Sequence, residues 1–108
     1  MESFYSKSYI IANLEECSKI EIQLKSSNNT VILYKINKVV FAFVSIREAL
    51  DIENIIPEEY RPVKISRNFI SDYRNSYATL SFSSDGRVTT IGSISSNFAG
   101  SFCYITNC

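Results

Sequence analysis

From Lys19 to Lys25 the side chains alternate without a break: Ile20, Ile22 and Leu24 fall on one side, Lys19, Glu21, Gln23 and Lys25 on the other. A period of two marks a strand with one face in a core, and a helix cannot satisfy it. The run stops at Ser26-Ser27-Asn28-Asn29, a cluster of turn formers, and β-branched and aromatic residues resume over Thr30 to Ile36. Asn37-Lys38 then separates that run from Val39 to Ile46, and Asn tolerates the left-handed backbone that a two-residue turn requires. Two successive hairpins are expected.

The same grammar returns downstream. Ala78, Leu80 and Phe82 alternate with Thr79, Ser81 and Ser83 before Asp85-Gly86, the strongest short-range hairpin signal, and Arg87 to Ile94 answers them. Ser95-Ser96-Asn97 makes another break, Phe102 to Thr106 has the composition of a closing strand, and Phe4 to Ile11 is a weaker strand candidate. Only Ser45 to Glu59 has apolar residues at helical spacing. Ile55-Ile56-Pro57 and Arg61-Pro62 push the residues before each proline toward extended geometry, leaving at most a turn or two in a long connection. Seven or eight short strands with turns every 8 to 12 residues or so imply an all-β fold, an antiparallel β-sandwich or jelly-roll-like barrel. At 108 residues this is a single domain.

Composition narrows the function. Eleven Lys plus Arg balance eleven Asp plus Glu, so no net field draws the chain to nucleic acid or anionic lipid. The longest apolar run, Val39 to Val44, is far short of the roughly 20 residues of a membrane-spanning helix. Met1-Glu2-Ser3-Phe4 does not open a signal peptide, and synthesis in a cytoplasm is expected. With no His, and with Cys17, Cys103 and Cys108 scattered, neither a zinc site nor a His-activated nucleophile is expected. The thiols read as buried or incidental, and no metal or cofactor is expected.

Ile56-Pro57-Glu58-Glu59-Tyr60-Arg61-Pro62, followed by Phe82-Ser83-Ser84-Asp85-Gly86-Arg87-Val88 and Phe102-Cys103-Tyr104-Ile105, resembles the C-terminal receptor-binding domains of tailed-phage tail-fibre and baseplate proteins. Tyr34-Lys35-Ile36-Asn37-Lys38-Val39-Val40 stands where that family carries its first hairpin, with Asn37 in place of the customary Gly. The resemblance spans roughly Thr30 to Ile105. It implies a homotrimer at the tail tip that attaches to saccharide or another receptor on the bacterial surface. The partners it implies are that receptor and other tail proteins. A physical reading of Pro57 to Pro62 needs no ligand: two prolines stiffen the loop, pin Tyr60 over the end of the fold and leave Arg61 to reach backbone carbonyls.

Catalysis finds little support. Glu15-Glu16, Asp51 with Glu53, and Glu58-Glu59 are the dense acidic groups, and adjacent carboxylates do not face each other across a cleft as glycoside hydrolysis requires. Sugar binding instead needs planar apolar groups beside fixed hydrogen-bonding groups. Ser71 to Tyr77 is the richest such stretch, and Asp72, Tyr73, Arg74, Asn75 and Tyr77 are the candidate ligand-binding residues. Tyr73 and Tyr77 also suit a sheet rim or an interface between subunits. The Ser and Thr residues crowding the last third of the chain read as an outward-facing polar β-surface, with a shallow glycan groove as a second reading.

Overall fold

The computed structural model describes residues 17–25 and 28–107. Eight strands form one antiparallel sheet: β1 (Ser18–Gln23), β2 (Thr30–Ile36), β3 (Val39–Ile46), β4 (Asp51–Ile52), β5 (Ser66–Ser71), β6 (Tyr77–Phe82), β7 (Val88–Ile91) and β8 (Phe98–Ile105). Their order is β1-β2-β3-β8-β5-β6-β7-β4, and the sheet curls over its own core as a half-barrel. The all-β fold class read from the alternation is therefore what the chain adopts. The Phe4 to Ile11 strand candidate lies outside the described residues.

Both expected hairpins at the start form. β2 and β3 pair from Thr30↔Ser45 to Ile36↔Val39, leaving Asn37-Lys38 as the two-residue turn with Asn37 at φ 56°. The Asp85-Gly86 hairpin joins β6 to β7, with Gly86 at φ 88° and the Ser83 N–H donating to the Arg87 carbonyl at 2.9 Å. Between Ser45 and Glu59 there is no α-helix but the two-residue β4, which pairs with β7, and a single 3-10 turn at Glu58–Tyr60 closes the segment.

β8 is the join between the halves. It pairs along its full length with β3, from Val39↔Ile105 to Ile46↔Phe98, yet meets β5 in register only at Ser71↔Ala99, with a bridge from Pro62 to Thr106 beyond the strands. At Gly100 the two strands crowd: a Cβ there would lie 3.0 Å from Ile70 Cγ2. The alternate residues Val40, Ala42, Val44 and Ile46 of β3, with Val31, Leu33, Leu80, Phe82 and Phe98, are buried in the concavity. Phe82 packs edge-on against Phe102 and Tyr104, ring centres 5.2 and 5.8 Å away.

The strand β5 was not expected. Its inward positions Ser66 and Asn68 are polar and half-buried, with Asn68 Nδ2 donating to Ser66 Oγ at 2.9 Å, while Phe69 points outward at 79% exposure. The third inward position, Ile70, is buried and apolar, so apolar residues fall on both faces at 69 and 70 and no alternation marks the strand. The outward Ser and Thr surface also departs from expectation at Ser81, which is buried with its Oγ lacking a hydrogen-bond partner among the described residues.

Candidate functional site

The five residues singled out from the sequence lie on and beside the tip that joins β5 to β6, where they divide into two roles. Asp72 builds the tip. Its Oδ1 accepts from the backbone N–H groups of Arg74 and Ser76, both at 2.9 Å, and its Oδ2 accepts from Ser96 Oγ at 2.8 Å. The backbone closes the same turn, with Asp72 N–H donating to the Ser76 carbonyl and Asn75 N–H to the Asp72 carbonyl, both at 3.1 Å. Asn75 supplies the left-handed residue at φ 62°. These donors, the Ser76 N–H foremost, hold the Asp72 carboxyl below the usual carboxylate range.

Asp72, one of the candidate ligand-binding residues, is taken up in building the tip. Its side chain is 1% exposed, with Oδ1 engaged within the loop and Oδ2 by Ser96 from a separate segment. Asn75 likewise contributes through its backbone to the turn. Tyr73 and Arg74 are what the tip presents. Tyr73 is 83% exposed, and the Arg74 guanidinium carbon lies 5.2 Å from the centre of its ring, close enough for cation–π attraction. Arg74 Nε stands 3.9 Å from Asp72 Oδ2, an ion-pair distance too long for a hydrogen bond. Tyr77, 66% exposed, begins β6 opposite Ser71.

The proline-flanked motif plays the other part anticipated for it. Arg61 Nε donates to the Ile56 carbonyl at 2.8 Å, and the Gly86 carbonyl accepts from the N–H groups of Ile55 and Ile56 at 3.0 and 3.1 Å. Pro57 to Pro62 and Asp85-Gly86, distant in sequence, are thus one interlocked corner. Tyr60 is buried, donates from its hydroxyl to Ser18 Oγ at 2.8 Å, and receives at its own carbonyl the Tyr104 hydroxyl at 2.6 Å. Every polar group of this corner named here is turned to the fold rather than to a ligand.

Of the acidic groups, Glu15-Glu16 lies outside the described residues, and Asp51 with Glu53 has a structural partner. Arg87 pairs with Asp51 at 2.6 Å and reaches Glu53 at 3.9 Å. Among the described residues no three His, Cys, Asp or Glu side chains gather in a cluster that could hold a metal ion.

A feature that sequence reading passed over lies on the back of the sheet. Most outward residues of β2, β3 and β8 are themselves apolar: Ile32 stands opposite Phe43, Tyr34 opposite Phe41, Phe41 opposite Cys103, and Val39 opposite Ile105, with Ser101 polar opposite Phe43. Tyr34 and Phe43 meet edge to face at 5.8 Å, and Phe41 and Phe43 remain 40% and 48% exposed. The signal was present in Val39 to Val44, a run apolar at both odd and even positions, which a strand shows when both of its faces are to be covered.

No protein-family model matches the chain, and no curated protein matches its sequence.

Proposed function

We propose that this is a non-catalytic host-recognition domain of a phage tail or phage-tail-like particle, attaching to saccharide or another receptor on the bacterial surface. The observation that carries the reading is the Tyr73–Arg74 tip, an aromatic ring and a guanidinium standing out from a turn whose shape is fixed from beneath by a buried carboxylate. A sugar offers a C–H face to such a ring and hydroxyl oxygens to the N–H groups beside it. Ordering the tip before binding lowers the entropy lost on contact. The motif order from Tyr34 to Ile105 supports the assignment to a tail particle, made in a bacterial cytoplasm and displayed at the tail tip.

The test is attachment to bacterial cells and to a surface-glycan array by wild type and by the Tyr73→Ala, Arg74→Ala double variant. Because both side chains are exposed, the midpoint of thermal unfolding should stay within about 3 °C while attachment is lost. Undiminished attachment by the double variant rules out the tip.

A second reading, a structural assembly module of a tail protein with no receptor site, is favoured by the apolar back of the sheet. Capture of neighbouring tail proteins by a domain that attaches to no cell would establish it.

A further inference from the structure

We propose that the outer face of β2, β3 and β8 is a contact between two copies of this chain, packed sheet to sheet with their strands reversed. The proposal goes beyond the recognition tip and uses none of its residues.

The face is built like an interface and unlike a solvated sheet. Its centre is Ile32, Tyr34, Phe41, Phe43, Cys103 and Ile105, the last 62% exposed. Phe41, Phe43 and Ile105 keep 40%, 48% and 62% of their surface exposed, an apolar patch of the kind that marks an interaction site. One partner gives ~800 Å² to a standard interface, so the patch serves as the core of such a contact rather than the whole of it. Polar flanks supply the remainder, as they do at the rims of such contacts. Sheets stack face to face about 10 Å apart with nearly aligned strands, an arrangement that lays a second layer on this face.

The flanking charges identify the occupant. On β1 the outward Lys19 stands opposite Tyr34, its Nζ 5.6 Å from that ring's centre, and the outward Glu21 stands opposite Ile32. They are opposite in sign, two positions apart on one strand, and each is paired with a residue of the apolar centre. A copy turned end for end about an axis crossing the strands sets its Glu21 over Lys19 and its Lys19 over Glu21, so the contact satisfies itself reciprocally. Zero net charge removes any long-range repulsion between the copies. The resemblance to tail proteins implies three copies, whereas the charge pattern of this face suits two.

Light scattering on the full chain at ~100 µM, a concentration suited to weak pairing, reads the outcome. The expected mass is twice 12.3 kDa. Phe41→Asp with Phe43→Asp should give a monomer with an unchanged circular dichroism spectrum. Should that variant fail to fold, the exposed charges decide instead. Lys19→Glu alone should weaken pairing roughly three- to tenfold by setting like charges together, and adding Glu21→Lys should restore it. A monomeric or trimeric wild type, a dimer indifferent to the Phe substitutions, or a charge swap without rescue overturns the proposal. Failure here leaves the Tyr73–Arg74 reading untouched, since attachment is measured on separate variants.

Discussion

Replacing Gly86 by Ala tests whether the proline corner and the Asp-Gly hairpin are one unit. Gly86 sits at φ 88°, where a side-chain-bearing residue costs about 1–2 kcal/mol. An added Cβ would lie 2.6 Å from Arg61 Nε and 2.8 Å from the Ile56 carbonyl oxygen. The guanidinium can swing away only by giving up its 2.8 Å bond to that carbonyl, a hydrogen bond from a charged donor, which is worth about 1.5–3 kcal/mol. The backbone oxygen has less freedom to move. A total of about 3–5 kcal/mol is expected, a large part of the ~5–15 kcal/mol that holds a domain of this size. Urea unfolding followed by circular dichroism measures it, since the chain has no Trp to report by fluorescence. Arg61→Ala alone should cost about 2 kcal/mol. Because Gly86→Ala already displaces Arg61, the double variant should fall short of the sum by about 1–2 kcal/mol. A Gly86→Ala loss under about 1 kcal/mol, or additivity within about 0.5 kcal/mol, refutes the shared link.

Asp72 binds its proton more weakly in the fold than in the open chain, whose Asp titrates near 3.9. Stability should therefore fall as pH drops from about 5 through the folded value, and Asp72→Asn should flatten that decline in a series of melting curves; equal slopes would remove Asp72 from the account. Tyr104→Phe strips the Tyr60 carbonyl of its 2.6 Å donor and should cost about 1–2 kcal/mol in urea at pH 7. Burial pushes the Tyr104 hydroxyl well above its ordinary range, so wild type should weaken further above pH ~10 and the Phe variant less so, a difference that unfolding at pH 11 exposes.

How much of this was legible depended on whether a residue's neighbours in sequence are also its neighbours in space. β2 and β3 match the expected runs residue for residue because one two-residue turn fixes both boundaries and the register. β8 starts at Phe98, against an expected Phe102, because that end is set by a strand remote in the chain, Ile46 standing opposite Phe98, while β7 stops at Ile91 opposite Thr79 of its hairpin partner, short of the expected Ile94. β5 was invisible because Ile70 is its single buried apolar side chain, too little to make an alternating row, and backbone pairing with β6 and β8 sets the rest. At the tip, residue types alone put Asp72 beside Tyr73 and Arg74 as equals. The N–H groups of Arg74 and Ser76 on one oxygen, and Ser96 from 24 positions away on the other, show that its carboxylate belongs to the scaffold. The union of Arg61, Ile56 and Gly86 was equally out of reach, though the stiff loop and the hairpin were each recognised.

The place of β8 has a consequence for how the chain is made. Of the eight strands it leaves the ribosome last, yet it stands in the middle of the sheet, paired to β3 from Val39 to Ile46. The nascent chain thus carries two short meanders, β1-β2-β3 and β5-β6-β7, each with an open edge that no earlier segment among the described residues closes. Until Phe98 to Ile105 emerge, the edge of β3 offers unpaired backbone together with Phe41 and Phe43, the template on which neighbouring chains add strands to one another. Translation that stalls before β8 is therefore costly to its surroundings, because it strands a sticky half-sheet on every ribosome of the message.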